Sequence, residues 1–193
     1  MDAGVVWFSI IVIIAGYYVW SGYNSVNKTD AITDKFKNKG FNIYKSRIVP
    51  KAFFTTILAV DKSHNQIGFG YYTKGKAVTQ IYNAQDIISC EVLEDEDSII
   101  KTSSSSILGR SIVGGVLTGG VGAIIGGVTA GKTTKQIVNS VKLRIVTSNL
   151  DSPINDFTFL NVSTKKASSS YVSAIHEATE WYGITKALMH SEK

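Results

Sequence analysis

Eight residues, GGVTAGKT from Gly126 to Thr133, fit G-x-x-x-x-G-K-[ST] letter for letter. In that spacing backbone N–H groups close on phosphate oxygens, the lysine (here Lys132) reaches the β- and γ-phosphates, and the hydroxyl (Thr133) meets Mg²⁺. That chemistry needs a frame. A buried strand must deliver the loop, a helix must open after it inside a parallel α/β sheet, and a second acidic residue must complete the metal site. The chain offers no alternating strand–helix units. About 60 residues follow Lys132, too few for the rest of such a fold. Asp151 comes after LRIVTSNL, where polar residues interrupt the apolar run expected before a metal-binding Asp. Phosphate chemistry is therefore not expected here.

Other reactive groups are few. His64, His176 and His190 have no second His or Cys at ligand spacing, so no zinc site is expected. The acidic run EDED, Glu94 to Asp97, does not match a calcium loop and reads as a solvated turn. The serine runs 103–106 and 168–170 have no recognisable base and read as linker and helix start. The single cysteine, Cys90, excludes an internal disulfide. Strand alternation puts it on one core face with Ile88 and Val92. The expectation is a non-enzymatic chain without cofactor or metal.

The lysine motif reads differently one step back, inside ILGRSIVGGVLTGGVGAIIGGVTAGKTTK. Ser111, Gly115, Gly119, Ala123, Gly127 and Gly131 recur every four residues, with Thr118, Gly122, Gly126 and Ala130 in the adjacent row. On a helix this is a face of small residues beside a face of Ile112, Val113, Val116, Ile124, Ile125 and Val128. Small residues at this spacing let helices approach closely in lipid, where packing replaces the hydrophobic effect. No charge lies between Arg110 and Lys132. In water each glycine weakens a helix by about 1 kcal/mol relative to alanine, so a packed apolar setting suits the block better than a flexible loop. The reading is a glycine zipper over 107–134, with self-association through its small face. A single crossing would put Lys132, Lys135, Lys142 and Arg144 outside, against the charge rule. A one-sided segment bending near Thr118–Gly120 is expected.

The elements around it start with an anchor. AGVVWFSIIVIIAGYYVW opens an uncharged stretch from Ala3 to Asn27, and roughly 20 such residues cross a bilayer core. Trp7, Tyr17, Tyr18, Trp20 and Tyr23 put aromatic rings near the two interfaces. A cleaved signal peptide is not expected, because there is no basic start and no A-x-A site. The spans are a transmembrane helix at 3–23 and a juxtamembrane linker at 24–38. Lys28, Lys35, Lys37, Lys39, Lys45, Arg47 and Lys51 follow it, while only Asp2 precedes it. This asymmetry places the C-terminal side in the cytoplasm, with the basic cluster available to an anionic leaflet. A net charge of +5 agrees; nucleic acid, the competing polyanion, lacks any recognisable motif here.

From 39 to 106 short apolar runs alternate with turn residues: FNIYKSRIV, AFFTTILAV, QIGFGYY, KAVTQIY and DIISCEVLE. They are rich in β-branched and aromatic residues and read as an antiparallel meander. From 135 to 190 come two more strand-like runs, QIVNSVKLRIV and INDFTFLNV, and then an amphipathic helix. That helix puts Tyr171, Ile175, Ala178 and Tyr182 on one face. The class is mainly β, a small barrel or sandwich closed by a C-terminal helix.

Taken together, the anchor, DIISCEVLEDEDSI, the glycine stretch after SSSSILGR, VKLRIVTSNLDSPINDFTFLN and the final helix resemble a group of small bacterial and prophage-type membrane proteins with a pleckstrin-homology (PH)-like domain. The resemblance implies a PH-like fold at the cytoplasmic face of a bacterial inner membrane, single-pass. It implies work through lipid or protein partners, in a setting such as phage superinfection exclusion. The alternative is a pore-forming or membrane-perturbing effector acting through the glycine block.

Overall fold

A computed structural model describes residues 3–50, 54–103 and 137–191. The chain divides into two units, one of residues 1–64 with 68–81 and one of 65–67 with 82–193. The expected glycine zipper over 107–134 lies outside the described residues.

The first unit is organised by helix α1, Ala3–Lys37. Its length corrects one expectation: segment 24–38 is not a linker but continues the helix. The reason is local. No Gly or Pro occurs between Ser25 and Asn38, and Ile32 and Phe36 stand one turn apart on a face that the domain buries. Both are fully buried. The helix stops by a Schellman arrangement. Phe41 N donates to Phe36 O at 3.1 Å, Gly40 N donates to Lys37 O at 2.9 Å, and Gly40 sits at φ 77°. The accompanying apolar contact is Phe36 on Phe41, with ring centroids 4.9 Å apart.

Strands β1 (Lys45–Pro50), β2 (Thr55–Asp61), β3 (Gln66–Thr73) and β4 (Lys76–Asn83) form a four-stranded sheet in sequence order. The β1–β2 pair is antiparallel, Lys45 facing Val60 and Pro50 facing Thr55. The core is Ile32, Phe36, Phe41, Ile57 and Ala59, ringed by Ile43, Ile48, Tyr72, Ala77 and Ile81. The helix comes close to β3 because that strand has no side chain in its path. A Cβ at Gly70 would stand 2.2 Å from Ile32 Cγ2, and one at Gly68 would stand 2.5 Å from Phe36 Cε1. The alternating glycines of QIGFGYY thus form a track for Ile32 and Phe36.

At its other end α1 is unpacked. Val6, Trp7, Phe8 and Ile10 through Gly16 are all exposed. At 100° per residue this run leaves no side of the helix covered. Among the described residues no helix is long and apolar enough to cross a membrane. The side chains of residues 17–25 lie outside that description.

The second unit opens with a 3-10 turn, Ala84–Asp86, followed by β5 (Ile87–Glu94) and β6 (Asp97–Ser103). Then come β7 (Ile137–Val138), β8 (Val141–Thr147), β9 (Ile154–Leu160), β10 (Thr164–Lys165) and helix α2, Ser169–His190. The sheet order is β6-β5-β8-β9, with β10-β7 as a separate two-stranded ribbon. Strand β6 and the short β7 and β10 were not separated from their surroundings in the sequence. Ser168 caps α2, its Oγ accepting from Tyr171 N at 3.2 Å. The buried face is Tyr171, Ala174, Ile175, Ala178, Trp181, Thr185 and Leu188. Trp181 takes the place expected for Tyr182, which is half-buried. The mainly β class with a C-terminal helix therefore holds.

Cys90 is fully buried as expected, but Ile88 does not share its face. The β5–β8 register shifts between Ile87 and Ser89, a bulge that leaves Ile88 extruded and exposed. Burial pushes the Cys90 thiol up to about 12; a Thr185 hydrogen bond opposes this and the Glu91 charge adds to it.

Candidate functional site

The second sheet holds both ends of the segment expected to carry the zipper. Strand β6 ends at Ser103, opposite Ser89 at the start of β5. The chain re-enters at Ile137, and Val141 pairs with Glu94 at the far end of β5. Five residues of strand separate these pairings along β5, about 17 Å at 3.3 Å per residue.

The re-entry end is fastened by the EDED turn. Asp95 and Glu96 form the two-residue β5–β6 turn, both left-handed at φ 49° and 71°. Such a turn matches the twist of its strands. Asp95 Oδ1 accepts from Asn139 N at 2.8 Å and from Ser140 N at 2.9 Å, and Asp95 N donates to Ser140 O at 3.1 Å. Glu96 pairs with Lys142, and with Arg144 at 3.4 Å. Glu94 accepts from the Tyr171 hydroxyl at 2.6 Å and meets Lys166 at 2.5 Å. Burial first, and then the Glu94 hydrogen bond and charge, hold the Tyr171 hydroxyl well above its ordinary range. The acidic turn is therefore a fastening and not merely a solvated loop.

A charged row crosses all four strands of this sheet. Lys101 faces Glu91, Glu91 faces Arg144, and Arg144 faces Asp156. The signs alternate. Arg144 donates twice to Asp156, 2.7 Å each, and Lys101 stands 3.7 Å from Glu91. The Asp156 hydrogen bond holds the Arg144 guanidinium above its ordinary range, against partial burial, with the charges of Asp156, Glu96 and Glu91 adding to it. A one-residue slip of any strand would break the row, so it specifies the register that sets the two ends of residues 104–136. The alternation in VKLRIV announced that Lys142 and Arg144 share a face. Nothing in the sequence announced which acids would meet them.

The predicted site residues fall into two groups. Ser111, Gly115, Gly119, Ala123, Gly127 and Gly131 lie outside the described residues, as does Lys51. Of the basic cluster, Lys35 Nζ donates to Ala77 O at 2.8 Å and Lys39 Nζ donates to Thr79 O at 2.8 Å. Both acceptors belong to β4, the outer strand of the first sheet. These two ammonium groups close α1 onto that strand and blunt it as an edge. Lys37 stands 4.0 Å from Asp34, both well exposed. Lys28, Lys45 and Arg47 are half-buried, and Arg47 Nη1 reaches Ile48 O at 3.4 Å.

A third polar cluster escaped the sequence reading. Asp61 is fully buried at the end of β2. It accepts from Asn42 N (2.7 Å), Ser63 N (2.8 Å), Ser63 Oγ (2.5 Å), His64 N (3.1 Å) and His64 Nδ1 (2.7 Å). Burial alone would raise this carboxyl. The Ser63 and His64 side chains and the Asn42 and His64 amides outweigh it and hold the group well below the usual carboxylate range. Ser63 and His64 lie beside each other, but Asp61 and Ser63 both approach the same ring nitrogen, Nδ1. The trio is a turn lock and not a nucleophile with its base.

The chain matches the family described as glycine zipper containing PH domain over residues 44–161. It belongs to that family. The match runs through all of β1 to β9 and includes residues 104–136; α1 and α2 lie outside it. Two relatives are similar over most of the chain. The "Immunity protein" of Bacillus phage SPbeta is 29% identical over 175 residues, covering 84% of this chain and 82% of its own. An SPbeta prophage-derived uncharacterized membrane protein of Bacillus subtilis (strain 168) is 29% identical over 175 residues, covering 84% of this chain and 72% of its own. No solved structure matches. The expected likeness to prophage-type membrane proteins with a PH-like domain and a glycine zipper therefore holds.

Proposed function

We propose that this glycine-zipper PH protein is a non-enzymatic, membrane-anchored interaction protein that protects its host against superinfecting phage. The observation that carries the reading is the likeness to a phage protein named for immunity, over more than four-fifths of both chains. The anchor is the N-terminal half of α1. Its apolar residues 6–8 and 10–16 are exposed on every side, a pattern stable only where the surroundings are apolar on every side. With the uncharged residues on either side, from Ala3 to Tyr23, the stretch reaches the length a crossing needs. By the charge rule, the lysines after it favour a cytoplasmic position for the sheets that follow.

The pairing of the strands that flank residues 104–136 supports a one-sided zipper. The strands before and after this segment pair with the same strand, β5, and one sheet cannot lie on both sides of a bilayer. This shared partner argues against a single crossing. Two helical crossings need about 40 residues, and only some thirty lie between β6 and β7. The segment works by packing against protein or by partial entry, and its small-residue face serves self-association and a protein partner.

The test is phage plating on a host that expresses the chain. Wild-type protein should depress plating efficiency by orders of magnitude. Gly119→Leu and Gly127→Leu should restore plating, and Lys132→Ala should not. Equal plating with and without the chain, across a panel of phages related to SPbeta, would oppose the reading. Release of a dye from liposomes by the purified protein would replace it with membrane perturbation.

A further inference from the structure

We infer that α1 is a stiff stalk that holds the first sheet clear of the bilayer, so that the basic residues at its cytoplasmic end serve the protein and not lipid. The inference rests on the anchor reading above, and its observations are independent of it. The helix is unbroken from Ala3 to Lys37. Its last turns are fixed in the first unit by four devices. Ile32 and Phe36 are buried, Gly68 and Gly70 make room for them, Lys35 and Lys39 bind β4 carbonyls, and Phe41 closes the C-terminus on Phe36. A rod fixed at one end by packing and at the other by lipid leaves no joint between membrane and sheet.

The heights follow from helix geometry. From Tyr23, the end of the expected crossing, to Ile32 is about 14 Å at 1.5 Å per residue. The headgroup layer on one side is about 5–7 Å thick. The first contact of α1 with the sheet therefore lies about 7 Å beyond the headgroups when the rod stands upright. Lys35 and Lys37 lie further, about 18 and 21 Å from Tyr23 along the axis. Charges in water lose each other beyond about 8 Å at physiological salt. Lys28, about 8 Å from Tyr23, is within reach of the leaflet; Lys35 and Lys37 are not. An average tilt of about 20° shortens these heights by only a few per cent. The internal bonds of Lys35 and Lys39 agree with this, because an ammonium committed to a backbone carbonyl has fewer donors left for a phosphate.

The experiment places one reporter on each side of the boundary in full-length protein reconstituted into vesicles with nitroxide-headgroup lipid. Cys90 is buried and does not label, so a fluorophore can be put on Asn27→Cys or on Asn38→Cys, both exposed positions. The Asn27 probe should lose most of its fluorescence to the nitroxide, and the Asn38 probe should keep most of it. Asp30→Pro breaks the rod between them and should bring the Asn38 probe into quenching range. Co-sedimentation with vesicles after a high-salt wash is measured on the same samples. Loss of sedimentation would overturn the anchor reading. Retained sedimentation with equally strong quenching at both probes in the unbroken chain would overturn the stalk.

Discussion

Replacing Gly70 by alanine adds one methyl group where three atoms of α1 already stand. The new Cβ would lie 2.2 Å from Ile32 Cγ2, 2.9 Å from Phe36 Cε2 and 3.3 Å from Phe36 Cζ. Ordinary contacts begin near 3.5 Å, so the helix must withdraw by about an ångström or β3 must bend. Overpacking of this kind costs about 1–3 kcal/mol. Alanine also restricts the unfolded chain more than glycine, which returns about 0.4–1 kcal/mol. The packing term wins, for a net loss of about 1–2 kcal/mol and a Tm lower by about 2–8 °C at this chain length. Ile32→Ala removes the atom in closest conflict and by itself should cost about 2–5 kcal/mol through the cavity it leaves. The double variant should cost less than the sum of the two by at least about 1 kcal/mol, because each substitution relieves the other. Urea unfolding of the full chain in mild detergent, followed by tryptophan fluorescence and helix signal, measures all four members of the cycle. A Gly70→Ala protein as stable as its parent, or strict additivity in the double variant, would refute the close approach of α1 to β3.

Arg144→Ala should cost about 1–3 kcal/mol, below the figure for a fully buried pair, because the side chains of Arg144 and Asp156 remain 25% and 29% exposed. Arg144→Lys should recover only part of the loss, since an ammonium cannot make the double contact with Asp156; unfolding midpoints of the two variants decide this. The buried Asp61 gives the fold an acid-sensitive component. Its carboxyl is depressed in the folded state, so its stabilisation is complete above the unfolded value near 4 and is lost as pH falls below it. Unfolding free energy should decline between pH 5 and pH 2 or so, and Asp61→Asn should be less stable at neutral pH with a flatter acid slope; parallel slopes in the two proteins would rule the group out.

What could be read from the residues alone followed periodicity. The strands with clean alternation, such as VKLRIVT with its buried Val141, Leu143, Ile145 and Thr147, were legible because one face is dry and the other wet. Ile88 was misplaced because a bulge changes the face without changing the letters around it. Segment 24–38 read as a linker because apolar residues are sparse there, and the importance of Ile32 and Phe36 depends on two glycines more than thirty residues away on β3. The ionic row was invisible for a similar reason. Lys101, Glu91, Arg144 and Asp156 become neighbours only through three strand pairings, one of them across residues 104–136. Local chemistry was legible; the partners of charges were not, because pairing is a property of register.

The basic cluster shows why one set of residues can support two readings without conflict. In the anchor reading proposed above, the charge rule acts on the chain as it enters the membrane, before any sheet exists. At that stage Lys28, Lys35, Lys37, Lys39, Lys45, Arg47 and Lys51 act together as positive charges close behind an apolar run. Folding then separates them. Lys35 and Lys39 are drawn to the β4 carbonyls, and Lys37 turns to Asp34. On the proposed anchor reading these cations orient the helix early, and the bonds of Lys35 and Lys39 tie it to its sheet afterwards. A charge count from sequence describes the first event, and only the folded chain describes the second.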